Sequence, residues 1–400
     1  MSSDPACSHR GRRRQRLELA DLVRDYGDHL RASRSLTGVQ LAALRAIERC
    51  RTPALGGTRE VCSACGTERV VWRSCRNRHC PKCQTLSKER WLDARVDELL
   101  PVDYVHVVFT LPHVLNPVAL ARPRMVYGLL FRAAADTLRE FARDPRHLGA
   151  EPGILAVLHT WGQNLSLHIH LHCIVTAGGL DPTHRRWIRR SGGYLFPVRA
   201  LSRVFRGKYL DGLRRALNEH PEIDSQVPYR DLWKQDWVVY AKKPFAGPRK
   251  VLEYLARYTH RVALTNNRLL NLRNGIVRLR WRDYAHGGRK KTLRLSATAL
   301  LGRFVLHVLP RGFCRVRHYG LLGNRHKAIK LAACRRYFGV PDPTSRSEEH
   351  ADRGPTTILL NRLGIDPDRC RSCGSRRIRR APLVPMTTRP RARAPTRAAS

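Results

Sequence analysis

Apolar residues return at helical spacing in two early stretches, residues 17–31 and 37–50; in the second, Leu41, Leu44 and Ile47 share one face, and together the two predict a helical lead-in. A charged helix is expected over 86–100, and the period changes after Pro101. Residues 103–111, DYVHVVFTL, are β-branched and aromatic enough for a buried strand, and 126–143 carry the spacing of an amphipathic helix. Further strands are predicted at 153–160, 168–176 and 237–241, a helix at 201–217, and a helix over 249–258 running on to a short strand at 262–265. Arg-rich alternation over 271–295, with Val277, Leu279 and Trp281 on one face, predicts a basic hairpin, followed by a basic helical region over 297–338. Past Pro341 the chain turns to Pro, Arg, Ala, Ser and Thr, and 385–400 is too poor in apolar residues to pack. The interspersed strands and helices predict an α+β class.

A chain of 400 residues favours two or three structural units. Lys and Arg number 75 against 32 Asp and Glu, a formal excess of +43, so a compact molecule repels itself unless a polyanion partners it. Nucleic acid is the expected partner. No apolar run reaches the roughly 18 residues of a membrane span, and the polar, Arg-rich first 16 residues do not read as a secretory signal. The expected location is the cytoplasm, with no membrane and no small-molecule substrate as partner.

Twelve cysteines in a reducing compartment point to metal ligation. Cys62-x-x-Cys65 and Cys80-x-x-Cys83 bracket 14 residues, a spacing with which four thiolates close a tetrahedral structural Zn²⁺ site; Cys75 and His79, inside the loop, are alternative ligands. Such a site has no open position and folds a module. Arg73, Arg76, Arg78 and Lys82 line the loop as candidate phosphate contacts. Cys370 and Cys373 repeat the form without a partner pair nearby, and free thiols in a loose segment are expected there ahead of a second zinc site.

In LHIHLHCIV, His168, His170 and His172 alternate with apolar residues, so their imidazoles share one strand face, opposite Ile169, Leu171, Cys173 and Val175. Three histidines in register are costly to bury without a ligand or hydrogen-bond role. Tyr254 and Tyr258 stand at i and i+4 in VLEYLARYTH, on one helix face. A phenol is a weak nucleophile at neutral pH and needs positioning and a phosphate made electrophilic, which a divalent ion supplies. Arg261, on nearly the same face, and Lys250 are candidates to hold a phosphate or lower a tyrosine pKa.

At these residues the chain resembles the HUH-type rolling-circle transposases of the insertion sequence 91 family. His170, Leu171 and His172 match the His-hydrophobic-His motif, within HTWGQNL (159–165) and a following GGL (178–180). Tyr254 and Tyr258 fall on the two nucleophiles, SCRNRHCPKCQ (74–84) on the zinc-binding module, and HVLPRGFCRVRHYGLLGN (307–324) on a C-terminal block. Ile169 stands where a proline is expected. The resemblance spans about residues 17–340. The expected units are a basic disordered N-terminus (1–16), a helical lead-in plus zinc-binding module (17–100), an HUH nuclease domain (101–270), a basic DNA-binding region (271–340) and a mostly disordered tail (341–400); the antiparallel sheet flanked by helices in 101–270 is what the resemblance implies. It further implies single-strand nicking at the element's own ends, transfer into target DNA through a 5′-phosphotyrosine link, and Mg²⁺ or Mn²⁺ at His170 and His172, with His168 and then Gln163 as candidates for a third ligand. It places the protein at the bacterial nucleoid and leaves room for self-association. The alternatives are a rolling-circle replication initiator or relaxase, and a non-catalytic zinc-dependent DNA-binding protein.

Overall fold

The computed structural model describes residues 16–96, 98–183, 185–189, 196–242, 263–341, 359–360 and 364–386. Its first helices, α1 (Leu19–Ser33) and α2 (Gly38–Glu48), follow the expected periodicity, and α2 begins at a reciprocal cap in which the Thr37 hydroxyl accepts from Gln40 N–H. Next come β1 (Gly57–Cys62), β2 (Glu68–Trp72) and the helix α3 (Gln84–Val96).

The central unit is built from β3 (Tyr104–Thr110), α4 (Asn116–Ala121), α5 (Pro123–Arg143), β4 (Gly153–Trp161), β5 (Leu167–Thr176), the small β6 (Gly178–Leu180) and β7 (Trp187–Arg189), α6 (Val198–Leu217), α7 (Pro221–Asp224), α8 (Tyr229–Lys234) and β8 (Val239–Lys242). The chain continues through β9 (Leu269–Arg273), β10 (Ile276–Asp283), β11 (Arg289–Ser296), α9 (Ala297–Val305), β12 (Val316–Gly320), α10 (Lys327–Phe338) and β13 (Ile378–Leu383).

Five of these strands form an antiparallel sheet in the order β12-β4-β5-β3-β8. β5 is central, and its two faces meet different surroundings. Ile169, Leu171, Cys173 and Val175 join Phe109, Phe131, Phe205 and Leu213 in the largest core, which α5 and α6 cover. Burying each of these large side chains contributes roughly 1.5–3 kcal/mol. On the opposite face Leu155, Val157 and Ile174 pack with Leu92 of α3 and Leu331 and Cys334 of α10. The histidines occupy the remainder of that face.

A third core joins α1 and α2 to α9 and the three-stranded sheet β11-β10-β9, through Leu22, Leu44, Val277, Leu279, Leu300 and Phe304. The lead-in helices and the basic hairpin, far apart in sequence, therefore share one interior. Leu165, at the turn between β4 and β5, plugs into the same core and ties it to the central sheet.

Three expectations change. Residues 316–320, expected within a helical region, form the edge strand β12, because pairing with β4 outweighs the weak local pattern of an Arg- and His-containing segment. Residues 263–265 do not form a strand. Part of the expected disordered tail, 364–386, is folded: β13 pairs with β1 over six residues, from Gly57↔Leu383 to Cys62↔Ile378. The strand stays largely exposed, so what orders it is the ladder of backbone hydrogen bonds to a distant strand and not burial of its side chains. The helix expected at 249–258 lies outside the described residues. Among the described residues no helix is long and apolar enough to cross a membrane.

Candidate active site and metal centres

Strand alternation brings His168, His170 and His172 to one face of β5, and antiparallel pairing sets His159 of β4 directly opposite His170. His159, His170 and His172 each offer a ring nitrogen, all within 4.8 Å of one another. His168 does not join them. Its Nδ1 meets His113 Nε2 at 2.9 Å, and the third ring nitrogen of the cluster comes from His159, one strand away. Gln163, the other candidate, lies in the β4–β5 turn, where its backbone carbonyl accepts from Arg268. A register shift between His159 and Trp161 bends β4 just beyond the ligand position, and the Trp161 ring stacks on His159 at 4.5 Å.

His170 and His172 each engage their Nδ1. His170 Nδ1–H donates to the His168 carbonyl at 2.9 Å, since a carbonyl can only accept, and this leaves the lone pair on Nε2. His172 Nδ1 bonds His106 Nε2 of β3 at 2.8 Å with the rings stacked, which fixes its orientation in the same way. Burial, reinforced by the neighbouring histidines, pushes His170 down to about 3 and holds His159 and His172 well below the usual imidazole range. All three rings are neutral at physiological pH, the form that binds a metal ion.

The β4–β5 turn that sets these strands in register is itself tied down. Arg268 donates to the Gln163 carbonyl and Arg303 to the Asn164 carbonyl, the latter at 2.9 Å. His307 accepts from the Thr160 hydroxyl at 3.2 Å and donates to the Leu165 carbonyl at 3.2 Å. Arg315 lies close enough to His159 to help depress its pKa; burial, then the nearby Arg78 charge, lowers the guanidinium itself to about 10, and it stays cationic. Among the described residues no carboxylate pairs with Arg315.

The cysteines divide otherwise than their spacing predicts. Cys80 and Cys83 gather with Cys75 and with Cys50, from the C-terminal end of α2, whereas Cys62 and Cys65 lie with Cys370 and Cys373. The expected grouping of Cys62, Cys65, Cys80 and Cys83 on one ion is thus corrected. β1 and β2 form a hairpin that carries the first pair away from the second. In the Cys50 cluster, Cys83 Sγ is 3.3 Å from Cys50 Sγ and 3.6 Å from Cys75 Sγ. Hydrogen bonds from Cys50 and its neighbours hold the Cys83 thiol far down, while the same network holds Cys80 up.

His79 is not part of this cluster. Its Nδ1 bonds Asn77 Oδ1 at 3.2 Å, its Nε2 accepts from Leu309 N–H at 3.2 Å, and burial lowers it to about 3. Of the expected phosphate contacts, Arg73 and Arg76 are exposed. Arg78 instead donates to the Phe313 carbonyl at 2.7 Å and the Pro310 carbonyl at 2.8 Å, a clamp between the cysteine loop and the 309–313 segment. Lys82 pairs with Glu18. Tyr254, Tyr258, Arg261 and Lys250 lie outside the described residues. Sequence reasoning missed His159 as a ligand, together with Cys50, His106 and Arg315. The signal for His159 was the histidine that opens HTWGQNL, legible only once β4 and β5 are paired.

A family model described as "Transposase zinc-binding domain" matches residues 22–111, and one described as "Putative transposase" matches 153–329, which includes all three clustered histidines. A Sinorhizobium fredii protein named "Putative transposase y4qJ" is 50% identical over 355 residues, covering 84% of this chain and 89% of the relative. A Pseudomonas savastanoi protein named "Transposase for insertion sequence element IS801" is 27% identical over 387 residues, covering 90% of this chain and 88% of that one. No solved structure matches the chain. With the cysteine-rich segment at the head and the histidine-bearing sheet behind it, both inside the matched regions, the chain belongs to the insertion sequence 91 family of transposases.

Proposed function

We propose that the protein nicks and transfers single-stranded DNA in rolling-circle transposition, with Tyr254 and Tyr258 as nucleophiles and the histidine cluster as the metal site. The observation that carries this reading is the meeting of His159, His170 and His172, three neutral imidazoles on adjacent strands of a rigid sheet. The donor set fits a divalent cation, and imidazole nitrogen suits Mn²⁺ better than the harder Mg²⁺, which prefers oxygen. Such an ion, when bound, supplies positive charge that makes a phosphodiester more electrophilic.

The chain's own groups do the remainder. A tyrosine phenolate oxygen attacks phosphorus, the P–O3′ bond breaks, and the leaving oxygen takes up a proton as a free 3′-hydroxyl. The DNA remains linked through a 5′-phosphotyrosine, which preserves the energy of the broken bond for joining to another strand. A second tyrosine allows a second cut before the first link is resolved. Arg315, cationic and close to His159, is suited to hold the phosphate. His106 acts as a positioning residue through its bond to His172.

The test is incubation with labelled single-stranded DNA carrying the element's end, with and without Mn²⁺, followed by denaturing electrophoresis. A metal-dependent adduct is expected, lost to background in Tyr254→Phe, Tyr258→Phe while DNA binding persists. Binding without any adduct in the parent protein sinks the catalytic reading in favour of a zinc-dependent DNA-binding protein. A replication initiator or relaxase shares the adduct and is separated by the DNA ends it accepts.

For DNA contact, the β9–β10–β11 sheet offers a second surface. Its apolar face, with Val277 and Leu279, is buried, while Arg273, Arg278, Arg280, Arg282, Lys290 and Arg294 are exposed on the other face, where the strands carry no carboxylate. That face also lacks aromatic side chains on which single-stranded bases stack, which favours contact with a phosphate backbone. Changing Arg278, Arg280 and Arg282 to Ala should reduce the slope of log affinity for duplex DNA against log salt by about 2–3. An unchanged slope removes this face from the interface.

A further inference from the structure

We propose that Cys62, Cys65, Cys370 and Cys373 bind a second structural Zn²⁺, separate from the Cys50 cluster, so that the two ends of the described chain close one zinc ribbon. This inference stands apart from the nicking reading and needs no catalysis to be true.

Two independent features carry it. The first is sulfur spacing. Cys62 Sγ is 3.7 Å from Cys373 Sγ, and Cys65 Sγ is 3.8 Å from Cys370 Sγ. Zinc–sulfur bonds of about 2.3 Å at the tetrahedral angle separate the sulfurs by about 3.8 Å, whereas a disulfide brings them to about 2.05 Å. The four sulfurs have the spacing of a metal-sharing tetrahedron and not of two cross-links.

The second feature is that both Cys-x-x-Cys-Gly turns have the same backbone. Gly66 N–H donates to the Cys62 carbonyl at 2.9 Å, and Gly374 N–H to the Cys370 carbonyl at 2.9 Å. Cys62 N–H reaches the Thr67 carbonyl at 3.0 Å, and Cys370 N–H the Ser375 carbonyl at 2.8 Å, the same five-residue reach. The two glycines sit at φ of 70° and 73°, which an L side chain rarely adopts. Two matching knuckles, each presenting a pair of thiols to the other, form the arrangement by which paired turns hold structural zinc.

The supporting scaffold brings the knuckles together across 305 residues or more of sequence. β13 pairs with β1 up to Cys62↔Ile378, and Ser63 N–H extends the contact to the Arg377 carbonyl at 2.9 Å. Arg380 pairs with Glu60 of β1 at 3.1 Å and with Asp368 at 3.0 Å. The C-terminal knuckle is therefore part of the N-terminal module.

The experiment measures zinc and thiol reactivity on the full-length protein purified in zinc without chelator. Cys65 and Cys373 are exposed, so N-ethylmaleimide should modify them readily once metal is stripped. With zinc retained, peptide mapping should show Cys62, Cys65, Cys370 and Cys373 protected together, with modification slowed at least about tenfold. The double variant Cys370→Ser, Cys373→Ser should lose one zinc per chain by mass spectrometry and expose Cys62 and Cys65, while Cys75, Cys80 and Cys83 stay protected. Should that variant misfold, protection in the unaltered protein still decides the matter. Equal alkylation of Cys370 and Cys373 before and after chelation overturns the proposal, as does a Cys62–Cys373 or Cys65–Cys370 disulfide in the reductant-purified chain.

Discussion

Replacing His159 with Ala should abolish metal-dependent adduct formation as completely as replacing His170 or His172, each change costing on the order of 10³-fold, equivalent to ~4 kcal/mol of transition-state stabilisation. His168→Ala should be nearly silent by comparison, although His168 shares the strand and the face. The structural reason is that His159 is opposite His170 across the β4–β5 pair, while His168 bonds His113 outside the cluster. His106→Ala should fall between these, weakening metal binding by about 10–100-fold, because it removes the partner that orients His172 without removing a ligand. Adduct yield and Mn²⁺ affinity by calorimetry are the two readouts. An active His159→Ala beside an inactive His168→Ala would reverse the ligand assignment and sink the three-histidine site as drawn.

The second large effect is expected at the Cys50 cluster. Cys80→Ser should release its zinc and loosen the core that α1 and α2 share with β9, β10 and α9. Zinc binding at such sites is worth roughly 10–16 kcal/mol, so losing one of four thiolates should cost more than about 4 kcal/mol locally. Cys50 and Cys80 are buried members of that core, beside Leu44 and Ile47. Hydrogen exchange should therefore rise across residues 19–48 and 269–305, with β3, β4 and β5 still protected by their own interior. His79→Ala should retain the zinc, because both its ring nitrogens bond elsewhere. Unchanged zinc content and protection in Cys80→Ser would show that these cysteines are ordinary core residues.

Both experiments turn on residues whose role is set by a partner far along the chain. Cys50 lies in the turn just after α2 with no cysteine motif around it, and nothing in its local sequence distinguishes it from a small core residue. Cys370 and Cys373 sit in a segment whose composition argues for disorder, yet β13 completes the sheet that β1 begins. Arg78 reads as a phosphate contact in a basic loop and is a half-buried clamp on the carbonyls of Pro310 and Phe313. A charged side chain's pattern tells nothing of whether carbonyl groups or solvent will meet it.

What the sequence by itself determined was whatever depends on short-range periodicity. The alternation of His170 and His172 with Leu171 and Cys173 fixed a strand with one apolar face, and the i, i+3, i+4 spacing placed α1, α2, α5 and α6. The excess of +43 required a polyanionic partner, and paired cysteines required metal. Only the tertiary structure decided which imidazoles and which thiols lie together. Antiparallel register chose His159 over His168, and the turn away through β1 and β2 gave Cys62 and Cys65 to the C-terminal knuckle. Side-chain periodicity is a property of a few neighbouring backbone dihedrals, whereas a coordination shell is satisfied by whichever donors the packed cores bring within a few ångströms, whatever their distance along the chain.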